Sequence, residues 1–457
     1  MVRIEKSLVG ALRQGLRNVN GRTCLPCLDV MAPECASDVG PLVRHSKQCS
    51  STSSVEDRGP LQGYKVLDLG QVVAGNFAGG LLGYFGAEVI KVEPPGRGDA
   101  LRHLRDMDSS GTSLWWRSYG RNRKCITIDL KTEQGRELVK QLASRVDVLI
   151  ENFRPGVMES WGLGPDDLPK DLVYARISGY GQTGPKAPLP GYASVCEAYG
   201  GFRFINGFED RAPVRPNISL GDSLAGLHAA FGAVMALLYR DGGSKGKGSR
   251  GQVVDAAISE SVFNMLEGCV SEYFSSGAVR PPSGSTLTGV VPSGTWKSKD
   301  GIFIIIGGNG NSVYDRLMTA IGKEDMTSSN PRYATDFKRC QVEEEICAEI
   351  EAYVASNLAE DVIQAMSDAR VPAGKILNIE DIVHEDQYQQ RGMFERAKLS
   401  INSEEVVLPA MLPVLSHTKG KTSWAGPELG EHTDEILKSE LKLSDEQIAA
   451  LRENGVI

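Results

Sequence analysis

Residues 61–93 read LQGYKVLDLGQVVAGNFAGGLLGYFGAEVIKVE, and this stretch decides the fold. A short β-branched run predicts a strand over Tyr64–Leu69, a helical pattern follows over Phe77–Phe85, and a second strand is predicted over Glu88–Val92. Between them lie Ala74, Gly75, Ala78 and Gly79. Such small residues after a strand let a loop and a helix N-terminus approach a ligand and offer it backbone N–H groups. The alternation continues outward. Strands are predicted over Cys125–Leu130, Val146–Ile150 and Leu172–Ile177, with a helix over Thr132–Ser144 that Thr132 caps and Leu138, Val139 and Leu142 stripe. Strands joined by covering helices imply crossover units and a parallel sheet. The fold class is therefore α/β, a Rossmann-like large domain with a smaller α+β domain behind it.

The large domain is expected over residues 61–270. It includes a long helix from Asp222, carrying Leu224, Leu227, Phe231, Val234, Met235 and Leu238 at helical spacing, a strand over Gln252–Ile258 and a helical stretch over Glu260–Tyr273. The glycine-rich break Gly242–Gly251 lacks phosphate-loop spacing and follows a helix, so it reads as an exposed turn. Residues 274–300, rich in Ser, Gly, Pro and Thr, read as a linker. The small domain is expected over 301–386, with a strand over Ile302–Ile306 and helices over Ser312–Ile321, Val342–Ala355 and Ala359–Ala369. A C-terminal segment over 387–457, ending in a helix over Asp445–Glu453, is expected to return to the large domain. No internal repeat is visible.

Composition removes several function classes. The chain has 457 residues, 41% hydrophobic and 24% charged, and its 50 Lys and Arg against 58 Asp and Glu leave a net charge of −8. That balance argues against broad nucleic-acid or anionic-membrane binding, so any phosphate site must be local. The longest apolar stretches, such as Leu224–Tyr239, carry His and Gly and read as amphipathic rather than as membrane spans. The six histidines, at 45, 103, 228, 384, 417 and 432, never fall at metal-ligand spacing, so no metal site is expected. Residues 1–56 read as a leader. Arg3, Lys6, Arg13, Arg17 and Arg22 face only Glu5 over residues 1–28, and Ile4, Leu8, Leu12 and Leu16 share one helical face, as in a mitochondrial transit peptide. The mitochondrial matrix is the expected location, a cytoplasmic one the alternative, and a disordered tail the competing reading of the leader. Cys24-Leu25-Pro26-Cys27 has redox spacing but follows no strand–helix pattern, and the nine cysteines are too dispersed for a disulfide framework.

The opening stretch is followed, in order, by Asn122-Arg123-Lys124, Asp129-Leu130-Lys131, Glu151-Asn152-Phe153-Arg154-Pro155-Gly156, Ser178-Gly179-Tyr180-Gly181-Gln182-Thr183-Gly184-Pro185, Gly221-Asp222-Ser223, Gly289-Val290-Val291-Pro292, Val371-Pro372-Ala373-Gly374 and Leu429-Gly430-Glu431-His432-Thr433. This series resembles the class III coenzyme A transferases (formyl-CoA transferase and carnitine-CoA-transferase-like), nearest to succinyl-CoA:dicarboxylate CoA-transferases, over roughly residues 61–457. The resemblance implies an acyl-CoA thioester as substrate with no tightly bound cofactor, and an interlocked homodimer; charge and hydropathy leave no nucleic-acid or membrane partner expected. It implies CoA contacts at Val72, Ala74, Ile128, Lys131, Asn152, Phe153 and Arg154, with Arg123 and Lys124 as phosphate candidates. Read alone, Arg123, Lys124 and Lys131 flank a strand and suit a local site for a 3′-phosphorylated ADP moiety, with a solvated strand-edge cluster as the competing reading. Two arginines the family often carries are replaced, one by Pro94 or Pro95 and one by Ser160.

The family's nucleophile is an Asp after a Pro-Gly-aromatic segment. Here that segment reads Pro190-Gly191-Tyr192-Ala193-Ser194-Val195-Cys196-Glu197, and Ala193 takes the position. Three explanations follow: another carboxylate serves, with Glu197 and Asp222 as candidates; acceptor and donor react directly; or catalysis is altered. The expected activity is CoA transfer from succinyl-CoA or a similar donor to a small acid such as itaconate or hydroxymethylglutarate. The alternatives are an acyl-CoA racemase of the same superfamily, whose usual His aligns with Tyr192, and a CoA-binding protein without turnover.

Overall fold

The structure is a computed structural model and describes residues 59–242 and 250–457. The expected leader, its cysteine pair and most of the glycine-rich break lie outside the described residues. Six strands form a parallel sheet: β1 (Lys65–Asp68), β2 (Glu88–Glu93), β3 (Arg123–Thr127), β4 (Val148–Glu151), β5 (Val173–Ser178) and β6 (Val253–Ala257), in the order β3-β2-β1-β4-β5-β6. That is the doubly wound order of dinucleotide-binding folds, and its direction reverses between β1 and β4. Pairing is in continuous register, Leu67 opposite Ile90 on one side and Leu149 on the other.

Period-two alternation sends the strand residues to two cores. Val66, Val89, Val148 and Ile150 face the helix Ala74–Tyr84 and the long helix Leu220–Gly242, whose Ala225, Ala229, Ala233 and Ala236 press on the sheet. Small residues permit a close helix crossing: a Cβ on Gly226 would stand 2.6 Å from the Ala74 carbonyl oxygen. By length and composition the 23-residue helix meets the measure of a membrane span, but its alanine face is buried in the fold. Leu67, Ile90, Ile126 and Leu149 face the other way. They pack with the helix Glu133–Ala143, capped by Thr132, and with Ile436, Leu437 and Ile448 of the helices Thr433–Leu441 and Asp445–Glu453.

A separate core gathers around an antiparallel sheet of β7 (Ser293–Lys297), β8 (Phe303–Gly307) and β9 (Ala373–Lys375), covered by the helices Asn311–Ala320, Glu343–Ser356 and Ala359–Asp368. The predicted linker 274–300 therefore runs too far. Its last part is β7, whose Gly294 and Trp296 point inward, a signal hidden by turn-like composition. The predicted helix Glu260–Tyr273 is also two helices, Ile258–Phe263 and Cys269–Ser276, interrupted where Glu267 takes a left-handed φ of 49° before Gly268. A hairpin of β10 (Phe394–Lys398) and β11 (Glu405–Pro409) leads back to the large sheet, where the Trp424 indole donates to the Arg123 carbonyl at 3.0 Å.

Candidate active site

The strand order reverses between β1 and β4, so the loops leaving their C-terminal ends part and open a crevice. Asn152 ties the two loops together. Its side chain accepts the Gln71 N–H and donates to the Gln71 carbonyl, both at 2.8 Å. Next to it the buried Glu151 carboxylate accepts the Phe153 N–H at 2.7 Å and an Arg176 N–H at 2.6 Å, and Phe153 packs edge-on against Trp161. On the other side the chain turns sharply from β1 into the helix Ala74–Tyr84. A Cβ on Gly75 would lie 2.6 Å from the Gly70 Cα, so glycine is required for the contact. Val72, between them, is held in the left-handed region at φ 61°, a conformation that costs a β-branched residue free energy.

A pocket of about 300 Å³ opens at this point, lined by Val72, Ala74, Asn152, Phe153 and Arg154 from the two loops. Its far wall is Gly191, Tyr192, Ile258 and Asp222. The helix Ala74–Tyr84 begins here with no side chain capping it, so its first-turn N–H groups and positive end face a site for an anionic or carbonyl oxygen. Five of the nine sequence-derived CoA contacts thus meet in one pocket.

The other four do not. Arg123 is fully buried, 3.0 Å from Asp68 and bonded to Asn76, so its guanidinium serves the interior and is withdrawn from the phosphate candidates. Ile128 is buried in the sheet's second core. Lys124 pairs with Glu88 at 3.2 Å and Glu435 at 2.9 Å, and Lys131 lies exposed in the turn before the helix Glu133–Ala143.

The two candidate carboxylates separate in the same way. Glu197 is 0% exposed, its oxygens taken by Arg203 and by the Gly221 N–H, each at 3.1 Å. It braces the start of the long helix instead of facing a substrate. Asp222, one residue beyond that brace, lines the pocket, and its carboxylate makes no hydrogen bond or ion pair among the described residues. Burial and the nearby Glu197 push its carboxyl up to about 6, against the pull of Arg215. Ala193, the first residue of the helix Ala193–Tyr199, is buried beside the pocket. The Cys196 thiol beneath it is pushed up to about 11 by burial, which keeps it protonated and poorly nucleophilic.

Residues that sequence reasoning missed are Gln71, whose backbone Asn152 clamps, and Asp99, which accepts the Val72 N–H. Asp99 carries a local signal, as the N-cap of the 3₁₀ turn Ala100–His103, but that signal does not reveal its reach to Val72.

A family model described as CoA-transferase family III matches residues 61–433. The chain is 39% identical over 404 residues to the succinyl-CoA–D-citramalate CoA-transferase of Chloroflexus aurantiacus, covering 87% of this chain and 98% of that one. It is 32% identical to the human succinyl-CoA:glutarate CoA-transferase, covering 87% and 90%. Among solved structures it resembles a CaiB/BaiF family protein from Brucella suis, with a TM-score of 0.73 at 28% identity over 84% of this chain and all of that one. With a doubly wound sheet, a pocket at its reversal point and this matched span, the chain belongs to CoA-transferase family III and is an enzyme of CoA transfer.

Proposed function

We propose that the protein moves CoA from succinyl-CoA to a small dicarboxylic acid, itaconate and hydroxymethylglutarate being the first acceptors to try, and that Asp222 takes the role Ala193 cannot fill. The observation that carries the mechanism is that, of the candidate carboxylates, Asp222 alone lines the pocket, while Glu197 is sealed and ion-paired. Relatives named for succinyl-CoA paired with citramalate, malate and glutarate support the donor and the acceptor class.

The Asp222 carboxylate attacks the donor thioester carbonyl and expels CoA thiolate, giving a mixed anhydride. The thiolate attacks the Asp222 carbonyl of the anhydride, releasing the donor acid and leaving an Asp222 thioester. The acceptor carboxylate attacks that thioester, expels CoA thiolate and forms a second anhydride. Attack of the thiolate on the acceptor acyl carbon yields the new CoA ester and restores the carboxylate. The uncapped helix start at Val73–Ala74 supplies N–H groups to the oxyanion at each addition.

A homodimer fits the apolar surface that the long helix leaves open, with Leu227, Phe231, Leu238 and Tyr239 exposed. Delivery to the mitochondrial matrix rests on residues 1–56 alone, and a fluorescent fusion of that segment tests it. For the activity, purified protein is incubated with succinyl-CoA and a panel of mono- and dicarboxylic acids, and CoA esters are read by LC-MS. A new ester from a dicarboxylate is expected; no new ester from any pair defeats the reading.

A further inference from the structure

Beneath the Gly70–Val72 loop lies a charged cluster that the transfer steps leave unused. Asp68, Lys91, Asp99 and Arg123 are all 0% exposed. The Lys91 ammonium is 3.7 Å from Asp68 and 3.4 Å from Asp99, and Arg123 is 3.0 Å from Asp68. Two cations and two anions therefore offset one another where water is excluded. Buried ion pairs rarely outperform apolar packing in stability, so the arrangement calls for another reason.

Three members of the cluster hold the loop directly, and Arg123 reaches it through Asn76. Lys91 donates to the Gly70 carbonyl, and Asp68 accepts the Gly70 N–H at 2.8 Å. Asp99 accepts the Val72 N–H with both oxygens, at 2.9 and 3.1 Å, and the Leu101 N–H at 2.9 Å. Asn76 donates to the Val72 carbonyl at 2.7 Å and to Asp99 at 2.8 Å, and accepts from Arg123 at 2.5 Å. With Asn152 holding Gln71 from the other side, the backbone is gripped at three successive residues. The last of the three is Val72 at φ 61°, the conformation a valine least readily adopts unaided. The next residues, Val73 and Ala74, line the pocket and begin the uncapped helix.

We propose that Asp99 is a positioning residue for CoA binding: it holds Val72 left-handed, and so keeps the helix start at Val73–Ala74 set for the ligand, without touching it. This rests on reading the pocket as the CoA site. A chain released from the grip spends part of its time with Val72 in an extended or right-handed conformation, and its apparent affinity falls by the fraction of competent loop. Glycine at 72 adopts the left-handed conformation without penalty, so it removes the need for the grip.

The test is calorimetric titration of the full chain with CoA, arranged as a double-mutant cycle. Asp99→Asn, near-isosteric, is expected to weaken CoA binding about tenfold in the Val72 chain and by about twofold or less when Val72→Gly is already present. Asn76→Ala, which leaves every charge paired, is the second variant should Asp99→Asn not fold, with the same dependence on residue 72. A purely structural cluster would lower the melting temperature in both backgrounds with no such dependence. Affinity within twofold of wild type in Asp99→Asn, or equal losses in the two backgrounds, overturns the inference alone. A wild-type chain that binds no CoA overturns the site reading and the inference with it.

Discussion

Asp222→Asn should make the protein more stable and catalytically silent, and both effects follow from one environment. The carboxyl is pushed from its ordinary 3.8 up to about 6 by burial and by Glu197, with Arg215 pulling the other way. Between those values the folded chain keeps a proton that the unfolded chain releases. Ionising Asp222 therefore costs folding free energy, a cost absent below the unfolded value and complete above the folded one. This is the reverse of the usual salt-bridged carboxylate. A shift of roughly two units corresponds to about 3 kcal/mol as a ceiling, reduced to about 1–3 by the partial solvent contact of the pocket. Because Asp222 makes no hydrogen bond or ion pair among the described residues, the amide gives up no partner. Urea unfolding at pH 8 should show a gain of that size, shrinking to about half at pH 5. Turnover should fall at least about 10³-fold, since among the described residues no other carboxylate lines the pocket. Wild-type protein incubated with acyl-CoA and hydroxylamine should carry a hydroxamate on Asp222. Equal or lower stability of the variant at pH 8, or a gain independent of pH, refutes the electrostatic reasoning. Turnover within tenfold of wild type refutes the nucleophile and leaves direct transfer between bound donor and acceptor.

Glu197→Ala should behave in the opposite way, losing about 3–5 kcal/mol because Arg203 is stranded and the Gly221 N–H is left without its acceptor, with no hydroxamate ever found at 197 in the wild type. Arg123→Met should unfold at a urea concentration well below wild type, for Asp68 then lacks its nearer cation; Lys124→Ala, whose partners are partly exposed, should shift stability by less than about 1 kcal/mol and leave CoA affinity within about twofold. Light scattering should report a dimer for the wild-type chain and a monomer for Phe231→Glu with Leu238→Glu, whose side chains stand clear of the core; a dimer of unchanged affinity in that variant would place the interface elsewhere.

The parallel sheet was legible because its strands and crossover helices each announce themselves locally, down to Thr132 accepting the Gly135 N–H at 3.0 Å. What local pattern could not convey is direction. Arg123 and Lys124 are chain neighbours with the same charge, yet β3 alternates them, one into the interior with Asp68 and the other toward solvent with Glu88 and Glu435. Glu197 and Asp222 were indistinguishable as acids near the missing nucleophile, and the helix start at Leu220 separates them, binding Glu197 to the Gly221 N–H and turning Asp222 to the pocket. Asp99 went unseen for a related reason: its work is done 27 positions back along the chain, on the Val72 backbone. The opening stretch thus holds two layers of information. Its apolar alternation specifies where the sheet is, while its interspersed polar residues, Asp68, Asn76 and Lys91, specify how one loop of that sheet is held, and only the packed chain shows that they converge on Gly70 and Val72 of that loop.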